Sequence, residues 1–224
     1  MKKIYILLII STVFSFQSFS QEIIAETGIS FTSFDFKNSQ GIELDNLQST
    51  TNSFLSLSYR HNVLKEILHI VGGLSFNKYG AIGSNDNINL FYEWETSYLA
   101  INLGLDVKVF STEKLSFYLR STASSEFLLQ GTQIINNQVF NLKGVEEFDS
   151  NTFFFRGGAI VEYNISETLS LFTQYKYGQS TENGDTEKLK YKSSEIGLGL
   201  VVKLNSKTAS EKDIIEQEST NKQK

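Results

Sequence analysis

The sequence predicts an all-β fold, an eight-stranded antiparallel up-and-down transmembrane β-barrel. Three observations point there. Apolar and polar residues alternate strictly over most of the chain from Ile24 to Leu204, the period-two signature of strands with two unlike faces. Proline is absent from all 224 residues while Phe, Tyr and Trp make up 13%, a composition suited to long unbroken strands. Tight and long connections alternate along the chain, which sends every tight turn to one end of the sheet, the asymmetry of membrane barrels.

The elements follow in order. Met1-Lys2-Lys3 is a short basic start, and Ile4 to Phe16 is an apolar run of 13 residues, short of the roughly 20 a spanning helix needs. Ser18 and Ser20 place small residues before Gln21, so residues 1–20 read as a secretory signal peptide cut after Ser20. The remainder carries 18 basic against 25 acidic side chains, a balance of −7. The first strand, near Ile24 to Phe36, has Ile29 and Phe31 on odd positions but Phe34 and Phe36 on even ones, which predicts a bulge near Ser33. Alternation then marks strands around Leu55–Arg60, Leu68–Asn77, Leu99–Val109, Leu115–Leu129, Phe153–Tyr163, Leu169–Tyr177 and Glu195–Leu204. The tight connections are Asn62–Glu66, Ser111–Lys114 and Asn164–Thr168; the long ones are Lys37–Asn52, Gly80–Leu90, Gly131–Asn151 and Gln179–Lys190. Inside the longest, Ile134 to Phe140 forms apolar arms around Asn136-Asn137, a hairpin extending the neighbouring strands. The barrel thus occupies 21–204, and 205–224 is a polar periplasmic tail without the apolar content to fold alone.

Alternation alone also describes a soluble calycin-type barrel, which turns its large apolar residues inward. The polar face decides between them. It mixes small residues (Gly73, Gly104, Gly158, Gly197, Ser56, Ser58) with Arg60, Lys108, Arg120, Arg156 and Lys176 against Asp106, Glu126, Glu162 and Glu195. Five cations against four carboxylates nearly cancel. Such a set suits the narrow lumen of eight strands, where charges must be paired. These nine residues are therefore the candidate lumen charge network, structural in role, their pairing not readable from sequence. Aromatics sit near both strand ends: Phe34, Phe36, Phe76, Tyr79, Tyr92, Trp94, Tyr98, Phe127, Phe153, Phe155, Tyr175, Tyr177 and Tyr191 at the long-loop end, Tyr59, Phe117 and Tyr163 at the other. They read as interfacial girdles.

The runs Leu57-Ser58-Tyr59-Arg60, Gly72-Gly73-Leu74-Ser75-Phe76-Asn77, Thr96-Ser97-Tyr98-Leu99, Gln174-Tyr175-Lys176-Tyr177-Gly178 and Ile196-Gly197-Leu198-Gly199-Leu200 resemble small Gram-negative outer-membrane barrels of the "outer membrane protein beta-barrel domain" type. The likeness covers roughly 22–204. It implies an outer-membrane location and this fold, with outer-membrane lipids and the barrel-assembly machinery as partners, and no catalytic residues to carry over. One departure is that the last strand ends at Leu204 rather than on an aromatic, so the usual C-terminal insertion signal would have to act internally.

Composition excludes much chemistry. With no cysteine there are no disulfides, thiolate metal sites or cysteine nucleophiles. A net charge of −5 argues against nucleic acid as a partner. The only histidines, His61 and His69, flank the first tight turn on opposite phases and make an awkward catalytic pair. Loop acids Asp45, Asp86, Glu146, Glu147, Asp149 and Asp185 lack the spacing of an EF-hand, and neither a phosphate-cradling glycine loop nor a serine-nucleophile elbow occurs. No catalytic residue, metal or cofactor is expected. The favoured role is a closed, non-enzymatic barrel acting structurally or through extracellular loops toward an extracellular or periplasmic protein partner. The alternatives are a narrow channel for small or hydrophobic solutes, an outer-leaflet lipid A hydrolase or acyltransferase, and the soluble calycin.

Overall fold

In the computed structural model, residues 21–204 are described except 45, 65 and 86–89. The leader expected over 1–20 and the tail over 205–224 lie outside the described residues. The strands are β1 (Gln21–Lys37), β2 (Gln48–Leu64), β3 (Leu68–Asn85), β4 (Leu90–Ser111), β5 (Leu115–Ile135), β6 (Gln138–Asn141), β7 (Thr152–Asn164), β8 (Leu169–Ser180) and β9 (Lys188–Leu204), with a single helical turn α1 (Glu146–Asp149) before β7. Each barrel strand pairs antiparallel with its neighbours, β4 with β5 and β9 with β1, so eight strands close into a ring and β6 hangs from the top of β5.

Closure has a simple cause. Every outward amide of an open edge would meet hydrocarbon with no water to satisfy it, so a membrane sheet must return on itself. A row of facing residues followed from Phe127 on β5 through β4, β3, β2, β1, β9, β8 and β7 returns to β5 at Phe117, ten residues lower. That stagger goes with strands tilted about 35–45° to the axis.

The faces are those of a membrane barrel, and the calycin alternative is overturned. Leu57, Leu103 and Leu198 are each more than 60% exposed, while Arg60, Asp106, Glu126 and Glu162 are within 1% of full burial. Leucine turned out and arginine turned in is stable only where the outer solvent is lipid. On β4 the outward aliphatic run Leu99–Val109 covers 11 residues, the length a tilted strand needs to span hydrocarbon, about 9–11 residues.

Two expectations change. β1 has no bulge: its register with β9 runs unbroken from Gln21↔Leu204 to Lys37↔Lys188. Phe34 points inward on the same phase as Glu22, Glu26, Ser30 and Thr32; what changes along β1 is the chemistry of the interior, not the pleat. The long connections are also shorter than expected, because the ladders continue past the apolar belt. β3 and β4 pair as far as Asn85↔Leu90, and β5 and β6 meet over an Asn136-Asn137 turn with φ of 45° and 69°, the left-handed pair a tight hairpin requires. Gly80, expected to open a long connection, lies inside the ladder, as does Gly83. At Gly80 a Cβ would come within 2.7 Å of Thr50 Oγ1 and of the Trp94 carbonyl. There the β2–β3 register slips between Ser49 and Phe54, and the buried Thr32 hydroxyl stitches the gap, accepting from Gly80 N (3.0 Å) and donating to the Gly80 carbonyl (2.9 Å).

Candidate functional site: the sealed lumen

The interior has two storeys. In the lower one, nearest the tight turns, alternation delivers one charged side chain after another into a space without bulk water. They meet as a continuous zigzag of alternating sign. Arg60 bonds Glu162 (2.7 Å) and Glu22 and lies 3.5 Å from Asp106. Asp106 is held two-pronged by Arg120, at 2.7 Å from both Nε and Nη2, the fork geometry in which guanidinium is strongest. Arg120 reaches Glu26 (3.7 Å); Lys176 bridges Glu26 and Glu195, 3.2 Å from each. Arg156 then joins Glu195 (2.8 Å) to Glu126 (2.9 Å). Three of the four cations are also capped by a ring: Arg60 by Tyr118, Lys176 by Phe54 and Arg156 by Phe154, at 4.7, 4.7 and 3.9 Å from the centroids.

Eight of the nine residues singled out from sequence thus fall in one network. Lys108 stands apart at the rim, 3.7 Å from the exposed Glu66. Glu22, Glu26 and Tyr79 are members that sequence reasoning missed. With them the buried set has four cations (Arg60, Arg120, Arg156, Lys176) and six carboxylates (Glu22, Glu26, Asp106, Glu126, Glu162, Glu195). Lys203, 3.9 Å from Glu162 at the lower rim, helps offset the excess. The inner glycines make room for rings as much as for charges: at Gly199 a Cβ would sit 2.4 Å from the Phe172 ring, and at Gly178 2.4 Å from Arg156 Cγ.

The upper storey is aromatic. Phe34, Tyr79, Trp94, Tyr98, Phe154 and Tyr191 all point inward and are at most 4% exposed. Five of them had been assigned to an outer girdle, and that assignment is corrected; Phe127, Phe153, Phe155, Tyr175 and Tyr177 do face outward. The rings pack edge-to-face (Phe34–Tyr191, 4.8 Å) and stacked (Tyr79–Phe154, 5.7 Å). Leu142, just before α1, and Phe148, within it, fold down onto them and close the mouth. Tyr98 donates to the Phe148 carbonyl (2.7 Å), so the 2.8 Å contact with Tyr191 must have Tyr191 as donor. Tyr79 joins the storeys, its hydroxyl donating to Glu126 (2.7 Å) while accepting from Arg156.

At the lower mouth a polar recess of about 240 Å³ opens among Glu22, Asn62, His69, Lys108 and Tyr118; deeper in, what remains open is small. A cavity of about 30 Å³ lies among Ser56, Ser75, Asn77, Asn102 and Thr122 beside the ion pairs, the size of one or two waters. His69 is buried edge-on to Tyr118 while His61 lies against Tyr59 on the outer face, so the two histidines do not converge. Among the described residues no cluster of three His, Asp or Glu side chains could hold a metal ion; Asp45 and Asp86 lie outside them.

No protein-family model and no curated protein matches the sequence. Solved structures do match. The outer membrane protein OprG from Pseudomonas aeruginosa aligns with a TM-score of 0.50 at 11% identity, over 83% of this chain and 96% of that one. Neisserial surface protein A aligns with a TM-score of 0.48 at 13% identity, over 81% and 97%. The Escherichia coli outer membrane protease OmpT aligns with a TM-score of 0.47 at 6% identity, over 84% and 98%. At these identities the likeness is one of fold: this chain has the architecture of bacterial outer-membrane β-barrels.

Proposed function

We propose that this chain is a non-conducting, non-enzymatic barrel of the outer membrane, inserted by the barrel-assembly machinery. Its strand-built wall and loops stand outside, and it works structurally or by contact with a partner protein. The observation that carries this reading is the double filling of the lumen. A conduit needs a continuous path wider than a water molecule, yet ion pairs fill the lower storey and interlocked rings the upper. The outward aliphatic belt supports placement in a bilayer. The tight turns and both ends of the ring at one rim favour a periplasmic position for that rim, as in other barrels of this architecture. The ion-pair zigzag is read as structural, since its charges are paired with one another and only Glu22, at its lower end, borders an open recess. The upper end, where a lipid-modifying or proteolytic site would meet the outer leaflet, carries no histidine.

The test is conductance of the purified barrel in planar bilayers. Current indistinguishable from bare membrane is the expected result; a stable open pore would replace this reading with the channel.

A further inference from the structure

The outer wall just beyond the apolar belt is electrically lopsided. In Lys188-Leu189-Lys190-Tyr191-Lys192 on β9, Leu189 and Tyr191 are buried in the aromatic storey, so by the strand period Lys188, Lys190 and Lys192 all project outward. They stand about 7 Å apart along the strand, and Lys37 of β1 faces Lys188 across the ladder. The lowest, Lys192, lies one outward position above Ser194, which is flanked by Tyr177 on β8 and Phe31 on β1. Those two half-exposed rings close the apolar belt on this wall. Lys192 is paired with Asp35 (2.7 Å), Lys37 with Glu43 (3.2 Å) and Lys188 with Glu182 (3.8 Å). Lys190 has no ion-pair partner among the described residues. The wall across the barrel differs: above Phe76 and Leu99 it presents Lys78 on β3 but Glu93 and Glu95 on the outward phase of β4. Four lysines against Asp35, Glu43 and Glu182 leave this wall one charge positive, with Asp35 facing Lys190 across the ladder, whereas Lys78, Glu93 and Glu95 leave the opposite wall one charge negative.

We propose that the lysine ladder of β9, with Lys37, is a docking surface for the phosphate groups of a phosphorylated glycolipid of the outer leaflet. The inference rests on the outer-membrane placement proposed above. Cations one rung above an aromatic belt lie at headgroup depth, and their methylene stems can run along Tyr177 and Phe31 while the ammonium groups stay polar. Burial of Leu189 and Tyr191 fixes the strand between them, so the ladder is held in register before any lipid arrives. Attraction to an anionic lipid surface contributes about a fivefold gain in binding per lysine, and the unpaired Lys190 has the most to give.

The full chain is reconstituted in phosphatidylcholine nanodiscs doped with diphosphorylated lipid A or with the same lipid stripped of phosphate, and retained glycolipid is counted by native mass spectrometry. Wild type is expected to retain the phosphorylated form selectively. Lys190→Gln should weaken retention about fivefold, and K188Q/K190Q/K192Q tenfold or more, with heat-modifiable gel migration unchanged. Lys78→Gln, on the opposite wall, should leave it intact. Equal retention of both lipids, undiminished retention by the triple variant, or an equal loss in Lys78→Gln would each overturn the proposal. Labelling of Lys143, exposed near the upper mouth and outside the ladder, on intact cells by a membrane-impermeant amine reagent tests the placement separately. Absence of labelling would remove the outer-leaflet premise whatever the nanodiscs show.

Discussion

The lower and upper storeys of the lumen solve the same problem, filling a cylinder of eight strands, with opposite chemistry. Below, the filling is electrostatic and every group depends on its neighbours. Desolvating an arginine costs several kcal/mol, recovered only while carboxylates remain in place. Above, the filling is volumetric: rings interlock, and what matters is that no gap remains. Buried ion pairs are poor stabilisers beside an apolar core of equal volume, so the zigzag adds less stability than its short distances suggest.

That contrast can be broken experimentally, and the largest effect belongs to the lower storey. Arg60→Leu strands Glu22, Glu162 and Asp106 without their shared cation and should cost about 3–5 kcal/mol, read by urea unfolding from lipid vesicles. Recovery on adding Glu22→Leu and Glu162→Leu would show that the loss lay in uncompensated charge. Next comes Phe34→Ala in the aromatic storey, expected to cost about 3 kcal/mol through the cavity it leaves. Planar-bilayer current should stay at zero, because the ion pairs below still close the path. Tyr98→Phe is milder: it removes the bond to the Phe148 carbonyl and leaves Tyr191 without its acceptor, about 1–2 kcal/mol, with faster hydrogen exchange in 142–150 as its signature. The smallest effect lies in the 181–187 loop. There burial, with the Glu147 carboxylate nearby, holds the Glu187 carboxyl above its ordinary range. The folded loop binds that proton more tightly than the unfolded chain, so its contribution to stability is present at acid pH and lost as pH rises through the folded pKa. Glu187→Gln should remove this dependence and shift stability at neutral pH by about 0.5 kcal/mol or less. An unchanged pH profile of the melting midpoint in the variant would contradict it.

The two storeys were also unequally legible. Arg60, Arg120 and Arg156 alternate with leucine, phenylalanine and glycine, and an arginine facing lipid is so costly that its side of the strand is fixed by sequence. Glu22 and Glu26 were missed because the irregular first strand, read only from Ile24, was given no polar face, although both share the parity of Ile24, Ser30 and Thr32. The rings failed for another reason. A tyrosine is welcome at a membrane interface and equally in a packed interior, so residue type says nothing about direction. Parity did say it: Tyr98 shares the phase of Ala100 and Asp106, Tyr191 that of Glu195, and Phe154 that of Arg156. Strand length was underestimated where ladders leave the hydrocarbon, because outward positions there turn polar and glycines mimic turns.

An uninterrupted seam of 17 residue pairs joins the first strand to the last, from Gln21↔Leu204 to Lys37↔Lys188. Every other pairing in the ring joins strands close in the chain; this one joins partners separated by most of the sequence, the slowest kind of pairing to nucleate. A polypeptide emerging amino end first therefore carries an unmatched strand until its final segment is delivered, and must be kept from sticking to others meanwhile. Loss of β9 would leave two raw margins, on β1 and β8, and no smaller cylinder for them to fall back on.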